Sequence, residues 1–557
     1  MIRLGKLEGS LLLSFLTLFC FPLLYVCRTF DNNTLTSWQW VFNDGGFPRI
    51  LPLLLTVIIL SLVISRYIPL EKFPVPVLAL IAGTSVLPLW NEPELLLDSG
   101  RYFLQAKFLS EHGVMYFFRE WGHAITAWTD MPLSPFLYGL ILKYGNESRI
   151  AVQLFNTIIF ILTVVLTYTI GARLWDRELG FYAGLLLLGM PYMLTQVPQM
   201  MVDIHAMFFH VLAVYCFLEA LRSKSPVTLF ISSATLVLAV FVKYSIWPML
   251  ALLPVISLVL YPKALHHTLV KRIVLIIVPT ALALIILLSF KLNVFSEQMK
   301  ILLNYQRPAL QLWGESLVSS FLFQSNPFIS LLALYSVYRA YQLKDRRYLF
   351  ILFYGLLIAI LQIQRIRYTI PLLPFISLMA AYGLVAVREI QLRRLIGCLI
   401  VSSSLVILFA VYLPFFQTTS MMNIKDAGEY LNTLDEKNIE VFVQPQEKSE
   451  GSTFIAIPLL DLFTDKEIVS RQTWPLTKPE HLSPYSPLLF TWKQKKPSYY
   501  SPDKEHAQSP RTLVIISATP SNQEIYEHLH ETTFRPEVKH FTRQSGVFRY
   551  RTLISVY

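Results

Sequence analysis

The chain has 557 residues, of which 54% are hydrophobic, 14% aromatic and only 15% charged. Soluble domains carry roughly a quarter charged residues, so this composition excludes an ordinary soluble enzyme and indicates a polytopic membrane protein. The net charge of +11 is not a nucleic-acid signal, because much of it lies in short loops between apolar segments, where Lys and Arg fix orientation. The four cysteines (Cys20, Cys27, Cys216, Cys398) fall within or at the ends of apolar runs, with no CxxC pair, so no disulfide framework or thiolate zinc site is indicated.

Apolar stretches long enough to cross roughly 30 Å of hydrocarbon occur near 11–27, 50–65, 75–90, 149–174, 179–197, 200–221, 226–242, 245–261, 272–290, 317–340, 347–363, 369–388 and 395–416. The first run follows Arg3 and Lys6 but ends VCRTF, without a small-residue cleavage site, and reads as a retained span. A cytoplasmic N-terminus places six basic clusters inside: Arg66/Lys72, Arg173/Arg177, Arg222/Lys224, Lys263/Lys271/Arg272, Arg339/Lys344/Arg346/Arg347 and Arg388/Arg393/Arg394. That is the bias expected of cytoplasmic loops. The same count puts 28–49, 91–148, 291–316 and everything after 416 outside.

The loop 91–148 contains two pieces with helical apolar spacing, 99–112 and 132–142, which read as helices lying in the interface plane. The loop 291–316 carries Tyr305, Arg307, Pro308 and Trp313, residues at home at headgroup level. After about 420 charged residues, Pro and Ser rise. Helical patterns at 423–435 and 520–531, and strands at 439–443, 511–517 and near 545–556, predict a small extracytoplasmic α/β domain with a Pro/Lys/Ser-rich loop at 492–510. The predicted architecture is therefore mainly α: a transmembrane bundle of about thirteen spans (1–416, with external loop 91–148), interfacial helices, and a C-terminal unit at 417–557. No internal repeat is visible.

Under this topology five segments meet on the external side. They are Asp98 in LLLDSGRYF, Asp130 in TDMPLSPFLYG, Asp203 and His205 in MVDIHAMFF, Lys243 in VFVKYSIWP, and Arg365 and Arg367 in QRIRYTIPLLPF. Ionisable groups at such positions are costly if they enter hydrocarbon, and are functional candidates for that reason. A membrane enzyme that takes a sugar from a lipid phosphate needs this set. A carboxylate deprotonates the acceptor, and cations hold the phosphate and stabilise charge developing on it.

In this order the segments resemble the membrane glycosyltransferases that use polyprenyl-phosphate-linked sugars, including protein O-mannosyltransferases and the aminoarabinose transferases that modify lipid A. The resemblance runs from about 95 to 390. It comprises Asp98 followed by Tyr102, the turn MPLSPFLYG, the segment LWDRELGFYAGLL at 174–186, Asp203 opening a later span, VKYS around Lys243, and Arg367-Tyr368 with Pro371 and Pro374. It implies inverting transfer at the plasma or inner membrane, with Asp98 as general base. Lys243 and Arg367, with Arg365 beside it, would bind donor phosphate, and Tyr102, Asp130, Asp203 and His205 would shape the substrate site. Two departures stand out. The aminoarabinose transferases have a Lys where this chain has Met131, and the His-Pro-Pro-like turn of the protein mannosyltransferases is absent. Neither family's named substrate carries over, so the sugar is left open and the acceptor is a lipid, a glycan or a protein.

Plainer roles compete for several of these residues. Asp98 and Asp130 are also good helix caps, and Lys243 at a span end is placed to snorkel. Trp121, Trp128 and Trp313 read as interface anchors, and the sequons at Asn32 and Asn146 arise readily by chance. Asp203 and His205, two apart, point to different helix faces, which argues against a shared metal site. A divalent metal is compatible with the chemistry, but no ligand spacing indicates one. The rival functions are a lipid-linked sugar flippase and a non-catalytic membrane scaffold. A flippase favours midplane charges and paired broken helices, whereas here the charges gather at span ends.

Overall fold

The structure is a computed structural model that describes residues 6–27, 41–42, 46–223, 225–260, 266–307, 325–360, 366–444, 449–501, 512–517, 539–545 and 550–557. Trp313, Pro308, Arg365, Asn32 and the helix expected at 520–531 lie outside the described residues.

Helices dominate. Among the described residues, seven are long and apolar enough to cross a membrane: Leu7–Val26, Pro48–Tyr67, Arg149–Leu174, Val202–Arg222, His267–Ser289, Arg367–Val385 and Ile390–Thr418. Four shorter apolar helices, Pro74–Leu89, Pro226–Val240, Tyr244–Leu258 and Tyr348–Leu357, accompany them. The run at 179–197, which reads as one span, is instead two helices, Arg177–Leu187 and Pro191–Gln196. Pro191 sits at the start of the second, where its missing N–H costs nothing, but it cannot continue the first.

The basic clusters gather at one end of this bundle. Glu71 pairs with Arg394, and Glu178 with Arg393 at 2.7 Å. Trp175 donates to Asp345 at 2.8 Å, and Arg347 donates to the Leu174 carbonyl at 2.9 Å. Arg272 reaches the Leu221 carbonyl at 2.5 Å. Loops that are distant in sequence thus share one face, and the acidic segments singled out in the sequence share the other.

At that second face lie the helices Asp98–His112, Val114–Glu120 and Leu133–Tyr144. The first and third cross closely at Gly139, where an added Cβ would stand 2.6 Å from Leu109 Cβ and 2.9 Å from the Ala106 carbonyl oxygen. From Ser99 to Leu109 the first helix is buried on every side. A helix resting on lipid would keep one face in water. This one is covered by the C-terminal region, and Trp121, expected as an interface anchor, is likewise buried against Phe117, with ring centroids 5.1 Å apart.

The C-terminal region is a five-stranded mixed sheet. Its strands are β1 (Asn438–Val443), β2 (Glu467–Val469), β3 (Thr512–Ser517), β4 (Lys539–Phe541) and β5 (Leu553–Val556), in the order β2-β1-β3-β5-β4. β1 is parallel to β2 and β3; β5 is antiparallel to β3 and β4. Ile439, Val441 and Val443 alternate inward along β1, the period-2 pattern of a half-covered strand. They share one core with Leu96, Leu97, Tyr102 and Leu104 of the bundle face. The helix Ala456–Asp461 presses on Gly100, whose added Cβ would meet the Ile455 carbonyl at 3.2 Å. A buried polar clasp joins the same parts. Lys107 Nζ donates to both Asp461 oxygens at 3.1 and 2.9 Å and pairs with Glu147 at 3.2 Å, while Tyr500 OH donates to Asp461 at 2.6 Å.

The close crossing at Gly139 sets a stability test. Gly139→Val forces the helices apart and is expected to cost about 1–3 kcal/mol, the usual range for overpacking. Thermal unfolding of detergent-purified protein measures it, and an unchanged midpoint would contradict this packing.

Candidate active site

Asp98 opens its helix, but it is not the cap: Leu97 occupies that position, and the Asp98 carboxylate reaches two guanidinium groups. Oδ1 accepts from Arg101 Nη2 at 2.9 Å, and Oδ2 accepts from Arg367 Nη1 at 2.9 Å. Arg367 is 4% exposed and uses its Nε on Asp203 Oδ2 at 2.8 Å. The other Asp203 oxygen accepts from Lys243 Nζ at 2.5 Å. On the other side, Arg101 donates to Asp130 Oδ1 at 3.0 Å and to the Tyr102 hydroxyl at 3.2 Å. Gln105 donates to Asp130 Oδ2 at 3.0 Å. The result is one continuous chain of alternating charge: Asp130, Arg101, Asp98, Arg367, Asp203, Lys243. Three carboxylates face three cations.

Local sequence explains each position. Asp203 lies in the first turn of Val202–Arg222, fully buried. Lys243 stands in extended backbone between the helix Pro226–Val240 and the turn Tyr244–Ile246, with its Nζ 4.9 Å from the centre of the Tyr368 ring. Arg367 sits in the short helix Ile366–Thr369, and Pro371 and Pro374 lie in the first turns of the two elements that follow it. The Pro371 carbonyl accepts from His210 Nδ1 at 2.9 Å, which fixes that ring nitrogen as the protonated one. Asp130 precedes the helix Leu133–Tyr144, whose cap is Pro132, so its carboxylate serves Arg101 and Gln105 instead. Gln298 braces the same loop by donating to the Asp130 carbonyl at 2.8 Å, while accepting from Tyr244 OH at 2.7 Å.

The network sets the protonation of its members outside the spans. Burial alone would lower the Arg101 pKa, but the Asp130 and Asp98 carboxylates outweigh it and raise the pKa, keeping the cation charged. Burial, with Asp130 nearby, holds the Tyr102 hydroxyl well above its usual range, so Tyr102 stays a neutral phenol.

The sequence-selected residues divide accordingly. Asp98, Tyr102, Asp130, Asp203, Lys243 and Arg367 come together. His205 does not join them: its Nε2 lies 3.1 Å from Asn156 Oδ1, and its ring packs on Tyr138 at 4.6 Å between centroids. Arg365 lies outside the described residues. Sequence reading missed Arg101, although the spacing Asp98-x-x-Arg101 places both on one helix face. It also missed Gln105. Among the described residues no group of three His, Cys, Asp or Glu side chains is placed to hold a metal ion.

Residues 129–290 match the family model of dolichyl-phosphate-mannose-protein mannosyltransferases. No curated protein sequence matches the chain. Among solved structures, ArnT from Cupriavidus metallidurans bound to undecaprenyl phosphate is 14% identical, with a TM-score of 0.51 over 87% of this chain and 97% of that one. Its apo form gives 12% identity and a TM-score of 0.51 over 86% and 97%. The oligosaccharyltransferase AglB from Archaeoglobus fulgidus, in complex with an inhibitory peptide and a dolichol-phosphate, gives 13% identity and a TM-score of 0.46 over 80% and 70%. The chain therefore has an ArnT-like fold, and its stretch from Asp130 past Lys243 carries the sequence pattern of the dolichyl-phosphate-mannose-protein mannosyltransferases.

Proposed function

We propose that the chain is a membrane glycosyltransferase that moves a sugar from a polyprenyl-phosphate donor to an acceptor on the extracytoplasmic side, with inversion at the anomeric carbon. The observation that carries this reading is the 2.9 Å contact between Asp98 and Arg367, with Lys243 joined through Asp203. An acid and two basic side chains from separate segments meet at one end of the bundle, opposite the basic loops. The N-terminus is then cytoplasmic and the sheet region extracytoplasmic.

The chemistry follows from charge. The donor is a phosphodiester with one negative charge, and the departing polyprenyl phosphate gains a second. Arg367 and Lys243 are placed where that increase develops, so they bind the product-like state more tightly than the ground state. Asp98 accepts the proton of the acceptor hydroxyl as its oxygen bonds to the anomeric carbon and the carbon–phosphate oxygen bond breaks. Arg101 and Arg367 each donate to one oxygen of Asp98, so the carboxylate is shared between two guanidinium groups. A donor phosphate at Arg367 competes with Asp98 for that guanidinium and leaves the carboxylate freer to take a proton. The ArnT structure contains undecaprenyl phosphate, which supports a lipid phosphate as the ligand here. Asp130 and Tyr102 hold Arg101, and Asp203 bridges the two phosphate-binding cations and holds them side by side.

Two substitutions test the assignments. Asp98→Asn keeps the shape and removes the base; transfer of labelled sugar should fall about 100- to 10,000-fold, while the protein still elutes as a single species and binds undecaprenyl phosphate. Normal turnover would overturn the assignment of Asp98. Arg367→Lys keeps the charge but loses the planar fork that spans two carboxylates. Turnover at saturating donor should drop by about 100-fold or more, the scale of losing one positioned donor to a developing anion. A change confined to KM would show that Arg367 contributes binding alone.

A further inference from the structure

Arg101 links Asp98 to Asp130, and it is held from a direction that the spans do not supply. Its guanidinium carbon lies 4.4 Å from the centre of the Phe490 ring and 5.0 Å from the centre of the Tyr102 ring. Tyr102 belongs to the same helix as Arg101. Phe490 comes from the C-terminal region, in the short turn Leu489–Lys493, and is 3% exposed.

That turn is braced on both sides. Ser452 N donates to Thr491 Oγ1 at 2.8 Å, and Thr491 Oγ1 donates to the Leu488 carbonyl at 2.7 Å. Trp492 Nε1 donates to the Glu450 carbonyl at 3.1 Å. From the bundle side, Tyr305 OH hydrogen-bonds the Ser486 carbonyl. Phe490 is therefore delivered to Arg101 by a fixed segment, not a loose loop. An aromatic face within about 6 Å attracts a guanidinium through the ring quadrupole, most strongly where water is excluded. An aliphatic side chain would fill the space without attracting the cation or setting its plane.

We propose that Phe490 is a positioning residue of the active site: it fixes Arg101, and through Arg101 it aims the Asp98 carboxylate. The C-terminal region then completes the catalytic constellation as well as covering it. This inference rests on the transferase reading for its kinetic consequences, but the contact between Phe490 and Arg101 is testable without turnover.

The test uses the full-length protein in lipid nanodiscs, with undecaprenyl-phosphate-linked mannose and undecaprenyl-phosphate-linked aminoarabinose as donor probes and a membrane extract as acceptor source. Release of undecaprenyl phosphate is the readout. Phe490→Leu should lower the rate at saturating donor about tenfold with KM changed less than about threefold, the signature of an effect on the chemical step. Phe490→Tyr, which keeps the ring, should retain at least about half the rate. In an Arg101→Gln background, Phe490→Leu should remove nothing further, and the thermal-midpoint losses of the two substitutions should be less than additive. A wild-type rate in Phe490→Leu, an equal loss in Phe490→Tyr, or losses that multiply in the double variant would overturn the proposal. So would midpoint losses that simply add. Wild-type protein that releases nothing from either donor, with the midpoint coupling intact, would sink the transferase reading and leave the Phe490–Arg101 contact standing.

Discussion

One guanidinium ties together the end of the bundle opposite the basic loops. Arg367 places its Nε on Asp203 and its Nη1 on Asp98, and so joins two spans to the buried helix Asp98–His112. A buried charge is tolerated only when paired, and removing one partner of such a pair typically costs about 3–5 kcal/mol. The chain from Asp130 to Lys243 meets this requirement by alternation, three acids against three bases. Among the described residues the pairs at Arg367 and Lys243 are the ones at the end of the network formed by the spans.

The same alternation explains how the two layers of the molecule cooperate. Arg101 extends the network toward Asp130, and the C-terminal sheet region reaches it with Phe490. Lys107 and Asp461 lock that region onto the same helix less than two turns further along. The helix is therefore gripped at two points, and its buried charges Arg101 and Lys107 are both paired. At the opposite end of the bundle, ion pairs such as Glu178–Arg393 join the basic loops to each other, so the two ends differ in what their charges face.

The candidate cluster was legible where physics makes a residue conspicuous. Asp98, Asp203, Lys243 and Arg367 stand at the ends of apolar runs, where a charge is costly and so stands out. β1 and β3 were readable from their apolar runs, but β2 and the helix Ala456–Asp461 are too short to carry a periodic signal. Arg101 escaped notice because it lies in a segment that already holds several polar residues. His205 was grouped with Asp203 by proximity in sequence, yet two helical positions turn it away, toward Asn156. The cover that the sheet region gives to the outer face of 99–112 has no local signal, and Phe490 is joined to Arg101 only by the tertiary fold. No local pattern encodes that contact.

A structure of the protein with undecaprenyl phosphate bound would test the central claim most directly. The account predicts the phosphate within hydrogen-bond reach of Arg367 or Lys243, with the Asp98 carboxylate across the same cavity. A phosphate seated among the basic loops at the other end of the bundle, away from all three side chains, would contradict it.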